Sequence, residues 1–440
     1  MVAWTTVRLM LILEILLKLK SKQGDVTAAF LHADLGKDEK VYVEMPLGFR
    51  KKGKVLSLNK TLYGLRQSPR MFWKYLTKTM ESEEVGMKPS KIDPCMFVGE
   101  RVIAIVYVDD ILFWSTDDKY INELAMKLRG QGLLLEQEDD AAGFLGVTMC
   151  KTEEGFMELK QTGLIDRILE ALGLDTKLAT NKWTPAEATP LSKDEDGEGP
   201  QGAFSYSSVV GMLLYLSGHS RPDIAYAVNC CARYMFNPRL SHEKALKRIG
   251  RYLKATRDRG LVLRPTGQLK VDAYPDADFA GLYGHEKPSD PACTKSRSGF
   301  LINVSDCPVV WISKLQRETA LSTMEAEINA LAHCSRELFP VLDIVNEVGT
   351  AVGLPTEDLA SIHVSVHEDN AGALILAETI PPGFTSRSKY HAIKTVWFRE
   401  ENIKRGVKLH KIDTVEQLGD IFTKGLTAQF EYLRNKLMGW

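Results

Sequence analysis

The sequence predicts an α/β protein with two sheet-bearing modules, and three observations carry that expectation. The run from Val102 to Trp114 is almost continuously apolar and β-branched or aromatic, broken only by Asp109 and Asp110. A stretch rich in Pro, Gly, Asp and Glu follows at residues 185–203. From about Leu269 onward, strand-like and helical patterns alternate, as in a layered α/β domain.

Taken in order, the periodicity predicts a helix over residues 7–20. Its apolar run from Leu9 to Leu19 is too short to span a bilayer and is interrupted by Glu14 and Lys18, so it reads as a core helix. No small-residue cleavage site follows it, which argues against a signal peptide. A strand is expected around Asp25 to Leu31, a short one at Val41 to Val43, and a helix over 68–84 carrying Met71, Phe72, Tyr75, Leu76 and Met80. The Val102–Trp114 run reads as two buried strands joined by a tight turn. Residues 185–203 read as a linker, and residues 205–257 as two or three helices. Strands follow near 269–274, 299–304 and 308–312. A long helix spans about Thr323 to Val348, with a kink expected at Pro340. A strand at 362–366, a helix at 370–377 and a helical segment near 391–405 complete the pattern.

A chain of 440 residues has room for two or three domains and a sizeable core. Its formal net charge of -1 provides no overall positive field, which disfavours a pure nucleic-acid-binding role. Lys247, Arg248, Arg251, Lys254, Arg257 and Arg259 do form a local basic run, either a solvated helix face or a contact for a duplex backbone. The seven cysteines lack zinc-like spacing and fit buried free thiols in a reducing compartment.

The acids set in apolar surroundings are the candidate chemistry. Asp109-Asp110, taken alone, reads first as the solvated tip of a hairpin. Asp25, however, is another lone acid at a strand edge, and three converging carboxylates make a hard oxygen site suited to magnesium. A second set lies C-terminal: Asp276 on a strand, Glu325 at a helix start, Asp369 at a strand end, and Asp420 early in the last apolar helix. Each has a local structural explanation. Ser322 with Glu325 forms a capping box, Asp369 can cap the next helix, and an acid suits the first turn at Asp420.

The motifs around these acids carry a resemblance. Asp25-Val-Thr-Ala-Ala-Phe-Leu-His-Ala-Asp-Leu35 resembles the first catalytic motif of copia-type retrotransposon reverse transcriptases. Leu62-Tyr-Gly-Leu-Arg-Gln-Ser-Pro-Arg70 looks like their template- and nucleotide-binding motif. Tyr107-Val-Asp-Asp-Ile-Leu112 resembles the paired-aspartate motif, and Phe144-Leu-Gly-Val147 the primer-gripping hairpin. The match continues through Tyr206–Leu216, Arg221–Ala227 and Ala245–Lys254. It then reaches Asp276-Ala-Asp, Ser-Thr-Met-Glu325-Ala-Glu, Glu368-Asp369-Asn and Gln417-Leu-Gly-Asp420, which are similar to the RNase H tetrad.

The resemblance implies a Pol polyprotein segment, with a reverse transcriptase palm and partial fingers and thumb at 1–184. It further implies a linker at 185–203, a helical connection at 204–267 and an RNase H-like α/β domain at 268–440, with much of the N-terminal fingers missing. Asp25, Asp109 and Asp110 would hold two Mg2+ ions for polymerisation, with Mn2+ as a substitute. Phe30 would be the gate against a ribose 2′-hydroxyl, and Tyr63, Gly64, Arg66, Gln67, Ser68 and Pro69 would contact substrate. Asp276, Glu325, Asp369 and Asp420 would hold two further metals for hybrid cleavage. The implied partners are an RNA template, a DNA primer, an RNA–DNA hybrid and dNTPs, with no membrane and with oligomerisation left open. The implied location is the cytoplasm, in virus-like particles with nuclear access. Tyr390 and Val396 stand where the family usually has histidines, and Ala392 where an Asp often follows. The alternatives are an inactive remnant or a non-enzymatic nucleic-acid-binding protein.

Overall fold

The computed structural model describes residues 2–36, 39–138, 142–176, 178–379 and 392–440. Tyr390 lies outside them, and the Ala392 side chain is likewise not described. The chain is of mixed α/β class and divides into two compact units: residues 1–141 with 343–360, and residues 142–342 with 361–440.

The first unit opens with α1 (Trp4–Leu17), whose Leu9 to Leu13 are buried, as expected of a core helix. The strand β1 (Lys20–Val26) follows, then a single 3-10 turn over Ala29–His32. Two-residue strands β2 (Tyr42–Val43) and β3 (Leu56–Ser57) pair with each other. Next come α2 (Ser68–Met80), β4 (Lys88–Pro89), β5 (Met96–Val98), β6 (Val102–Tyr107), β7 (Asp110–Ser115), α3 (Asp118–Gly130) and β8 (Leu135–Glu138). The six-stranded sheet runs β4-β5-β6-β7-β1-β8.

One face of that sheet buries Val26, Ala104, Val106, Ile111, Phe113 and Leu135 against Phe72, Leu76 and Met80 of α2 and Ile121, Leu124 and Leu128 of α3. Gly24 makes this packing possible, because a Cβ there would lie 2.9 Å from both Leu135 and Phe113 side-chain carbons. The expected strand at Asp25 to Leu31 is thus displaced: it begins at Lys20 and stops at Val26, one residue after Asp25. Its residues are mostly polar, and it forms because two neighbours, β7 and β8, supply its hydrogen-bond partners.

In the second unit, β9 (Gly143–Phe144), β10 (Val147–Lys151), β11 (Met157–Lys160) and β12 (Leu261–Leu263) form a four-stranded sheet in the order β12-β11-β10-β9. The helices are α4 (Thr162–Ala171), α5 (Tyr206–His219), α6 (Ala225–Ala232) and α7 (Leu240–Ala255). Strands β13 (Lys270–Asp278), β14 (Arg297–Val304) and β15 (Cys307–Leu315) lead into α8 (Thr323–Ala351), a helix that runs unbroken through Pro340. Residues 343–360, with α9 (Thr356–Ala360), belong to the first unit, where the Ser90 hydroxyl donates to Glu347 at 2.6 Å. Then come β16 (His363–Glu368), α10 (Ala371–Glu378), α11 (Ala392–Arg405), β17 (Val407–Lys411) and α12 (Phe430–Met438). The five-stranded sheet has the order β15-β14-β13-β16-β17. Its first three strands are antiparallel, and β13-β16-β17 are parallel.

The two compact units change over at 141/142, 342/343 and 360/361. β12 pairs with β11, Trp311 donates to the Ser217 carbonyl, and Trp440 donates to the Gly260 carbonyl, so these segments share one packed body. Residues 185–203 have no helix or strand, but they are tied down and do not form a free tether. Buried His242 donates from Nε2 to the Ser192 carbonyl while its Nδ1 accepts from the Arg239 N–H. Glu243 accepts from the N–H groups of Gln201 and Gly202, and Arg248 reaches Glu187 and Thr184. Much of the basic run is likewise engaged inside the chain: Lys254 on the Ala179 carbonyl, Arg257 on Asp166, and Arg259 over the Trp440 ring.

The motif at Arg221 holds a buried ion pair. Arg221, 1 % exposed, donates from Nε and Nη2 to both oxygens of Asp223, while Tyr252 Oη also donates to Asp223 and Arg221 reaches Thr256. Asp223→Ala leaves the Arg221 guanidinium buried without its counter-ion, so the folded state should be destabilised by about 3–5 kcal/mol. Arg257→Gln at the surface pair should cost below about 1 kcal/mol. Denaturant unfolding checks both, and equal small losses would contradict the ranking.

Six of the seven cysteines are buried and all are free thiols, as the sequence suggested. Among the described residues no helix is long and apolar enough to cross a membrane.

Candidate active sites

The first acidic site sits on the face of the six-stranded sheet opposite α2 and α3. Register places Asp25 directly across from Asp110 on β7 and from Glu136 on β8. Side chains of directly paired residues share a face, so three carboxylates stand in a row across three adjacent strands. Such pairing of like charges destabilises a sheet unless a cation intervenes.

Asp109 lies in the two-residue turn between β6 and β7, and its carbonyl accepts from Val26 N–H at 2.8 Å. Val108, beside it, has φ 56, a left-handed conformation that is costly for a β-branched residue. Strain of this kind, of order 1–3 kcal/mol, persists where the surroundings fix a functional geometry. Desolvation, then the charge of Asp109, then Glu136 and Glu138, raise the Asp25 pKa. Desolvation, then Asp109 and Asp25, raise Asp110 against a hydrogen bond from Gln23. The sequence reading missed Glu136 and Glu138, although their alternation in Leu135-Glu-Gln-Glu138 is a strand signal with acids on one face.

Phe30, in the 3-10 turn, is half-buried, its ring centroid 4.6 Å from Tyr63 and 6.1 Å from Phe72. Tyr63 and Gly64 lie in an exposed turn, with Gly64 at φ 95, followed by exposed Arg66. Gln67 donates to Glu39, and buried Ser68 donates to the Leu62 carbonyl, holding the entry to α2, where exposed Pro69 stands in the first turn. Ser68 is therefore tied up in shaping its loop.

The second acidic site gathers on the five-stranded sheet. Asp276 near the end of β13, Glu327 on α8 and Asp369 just after β16 each offer an oxygen within 4.8 Å of the others. Glu325 is not part of this group. The Ser322 hydroxyl accepts from Glu325 N–H, and Glu325 Oε2 accepts from Leu321 N–H, so Glu325 secures the helix start. The substitution of Glu327 for Glu325 has a physical reason. Two residues along a helix is a 200° turn, and Glu327 continues the buried row Leu331, Cys334 and Leu338. An acid in line with an apolar 4-3-4 stripe was the signal that could have found it.

Asp420 lies outside that three-acid group but stands against Asp276, and it comes from a 3-10 turn (Leu418–Phe422) and not from the last helix, α12. Gln417 builds that turn. Its Nε2 donates to the carbonyls of Pro275 and His367, and its Oε1 accepts from Gly419 N–H. Gly419 is needed because a Cβ there would come within 2.7 Å of the Asp276 Cβ. Thr423 donates to Asp276, and Lys424 Nζ lies 2.7 Å from Asp420 Oδ1. Glu368, fully buried beside Asp369, is a further acid that the sequence reading left without a role.

Burial dominates the electrostatics here. It raises Glu327, with Asp276, Glu368 and Asp369 adding repulsion, to about 11. It also raises Asp276, Glu368 and Asp420. Glu327 Oε2 and Glu368 Oε2 are buried with no hydrogen-bond partner. Buried carboxylates need a cation or hydrogen-bond donors to stay ionised, and an all-oxygen donor set of this size suits a hard divalent metal. The residues present therefore fit such an ion. Val396, on α11, is half-buried.

Residues 1–188 match the family described as Reverse transcriptase (RNA-dependent DNA polymerase). The chain is 31% identical to the Retrovirus-related Pol polyprotein from transposon TNT 1-94 of Nicotiana tabacum, over 100% of its own length and 32% of that protein. It is 30% identical to the Pol polyprotein from transposon RE2 of Arabidopsis thaliana, over 92% of its length and 26% of the relative. For transposon RE1 of the same plant the identity is 30%, over 94% and 27%. The chain thus spans about a third or less of the length of these relatives. With the motif order, the paired-aspartate hairpin and these similarities in hand, the chain belongs to the copia-type retrotransposon Pol polyprotein family, and its first part is that family's reverse transcriptase domain.

Proposed function

We propose that the chain is an RNA-directed DNA polymerase with a second, RNA-cleaving site of the RNase H kind. The observation that carries the polymerase reading is the register of β1 against β7, which sets Asp25 across from Asp110 beside the strained Val108-Asp109 turn. In this reading residues 1–184 supply the palm with parts of the fingers and thumb, residues 204–267 the connection, and residues 268–440 the RNase H-like domain. Asp25 and Asp110, with Asp109 at the turn, would hold Mg2+, with Mn2+ as a substitute, and Asp276, Glu327, Asp369 and Asp420 would hold Mg2+ at the second site.

Bound there, divalent ions supply charge neutralisation for the attacking and leaving oxygens of an in-line phosphoryl displacement. The chain's own contribution is positioning. The sheet fixes the carboxylates, and Tyr63, Gly64, Arg66, Gln67 and Pro69 border the place where template and dNTP would lie. At the second site Gln417 and Thr423 hold Asp420 and Asp276 in one cluster facing the RNA strand of an RNA–DNA hybrid. Primer extension on an RNA template by the purified chain with Mg2+ tests the reading. Template-directed synthesis is expected, whereas duplex binding without extension would favour a non-enzymatic binding protein.

Phe30 is proposed as the sugar gate. Forcing a hydroxyl against a packed ring costs about 1–3 kcal/mol. Phe30→Ala should therefore reduce discrimination against ribonucleotides roughly ten- to a hundredfold. Unchanged discrimination in an active variant would remove Phe30 from this role.

A further inference from the structure

The second acidic cluster contains a cation of its own. Lys424 Nζ approaches Asp420 Oδ1 at 2.7 Å, and its side chain is 46 % exposed where that of Asp420 is 1 % exposed. The ammonium therefore stands at the mouth of the site with the carboxylate behind it. Of the described residues lining the cleft of about 330 Å³, which include Asp276, Asp278, Glu327 and Asp369, Lys424 alone is positively charged. Its neighbour Thr423 donates to Asp276, so two consecutive residues each hold one acid of the cluster.

We propose that Lys424 is a positioning residue acting as a built-in counter-cation, which competes with a divalent ion for Asp420 and so sets the metal affinity of the second site. The inference rests on reading that cluster as a metal site. A bound ion that takes Asp420 as a ligand shares that carboxylate with Lys424, and the two positive charges repel. The lysine thereby keeps the acids assembled when no ion is bound, at the expense of affinity when one is. Removing it raises the negative charge of the cleft by one unit.

The test is calorimetric titration with Mn2+ alone, without nucleic acid, on the full chain carrying Asp110→Asn to silence the first cluster. In that background Lys424→Gln should bind Mn2+ roughly three- to tenfold more tightly, the effect of one unit charge a few ångströms away in a largely aqueous dielectric. Lys424→Arg, which keeps the charge, should stay near the parent value. Unchanged or weaker binding in Lys424→Gln overturns the proposal, as does an equal shift in Lys424→Arg, which would signal altered packing. Glu327→Gln is the control for the underlying reading. If it leaves Mn2+ binding intact, the cluster is not the metal site and the proposal falls with it. If the parent chain binds Mn2+ through Glu327 but cleaves no hybrid, the RNase H reading fails, and the affinities still decide the role of Lys424.

Discussion

Asp110→Asn is expected to lower primer extension by at least about 10²–10³, the scale seen when an electrostatic group is removed from a preorganised site. Cleavage of an RNA–DNA hybrid should remain within about twofold, because the second cluster lies in the other compact unit. The substitution has a second, opposite signature. Asp110, Asp25 and Glu136 stand in a row across three strands, so neutralising Asp110 at one end relieves repulsion on Asp25. Without divalent ions the variant should be more stable by about 0.2–1 kcal/mol. Activity lost together with stability would instead mean that Asp110 supports the fold. Equal loss of both activities in a folded variant would contradict two independent sites.

Glu327→Gln is expected to abolish hybrid cleavage, again by at least about 10²-fold, while primer extension persists. Glu325→Ala should do the reverse of what the motif suggested. It loses an acceptor for Leu321 N–H at the start of α8, costs about 0.5–1 kcal/mol of stability and leaves cleavage largely intact. The comparison is informative because the two residues are neighbours in one sequence motif and differ only in the helix face they occupy. Cleavage that survives Glu327→Gln and disappears in Glu325→Ala would restore the motif-based assignment.

These two acids also show where the sequence was legible. The β6–β7 hairpin could be read because a long apolar, β-branched run leaves few alternatives, and the same holds for α8 and the strands of the five-stranded sheet. β1 was misplaced because Lys20 to Asp25 carries no apolar alternation; its conformation is set by pairing on both sides, which local propensity does not encode. Asp109 and Asp110 stood out because they interrupt an apolar run, whereas Asp276, Asp369 and Asp420 were singled out by the resemblance of their motifs. Glu325 was chosen over Glu327 because a capping box and a metal ligand look alike in sequence, and only the alignment with Leu331, Cys334 and Leu338 separates them.

Residues 185–203 read as a tether from their composition, yet their backbone groups find partners on His242 and Glu243, far away in sequence. Gln417 stood in the Asp420 motif and Lys424 just beyond it, but neither was given a role of its own. Their roles arise from a 3-10 turn whose position depends on carbonyls of two separate strands.

The central claim is that one chain holds two acidic metal sites, and anomalous scattering from crystals soaked in Mn2+ tests it most directly. The expected map has one set of peaks at Asp25 and Asp110 and another bounded by Asp276, Glu327, Asp369 and Asp420, with Glu325 remote from both. A peak bridged by Glu325, or no peak at either cluster under saturating Mn2+, would contradict the account.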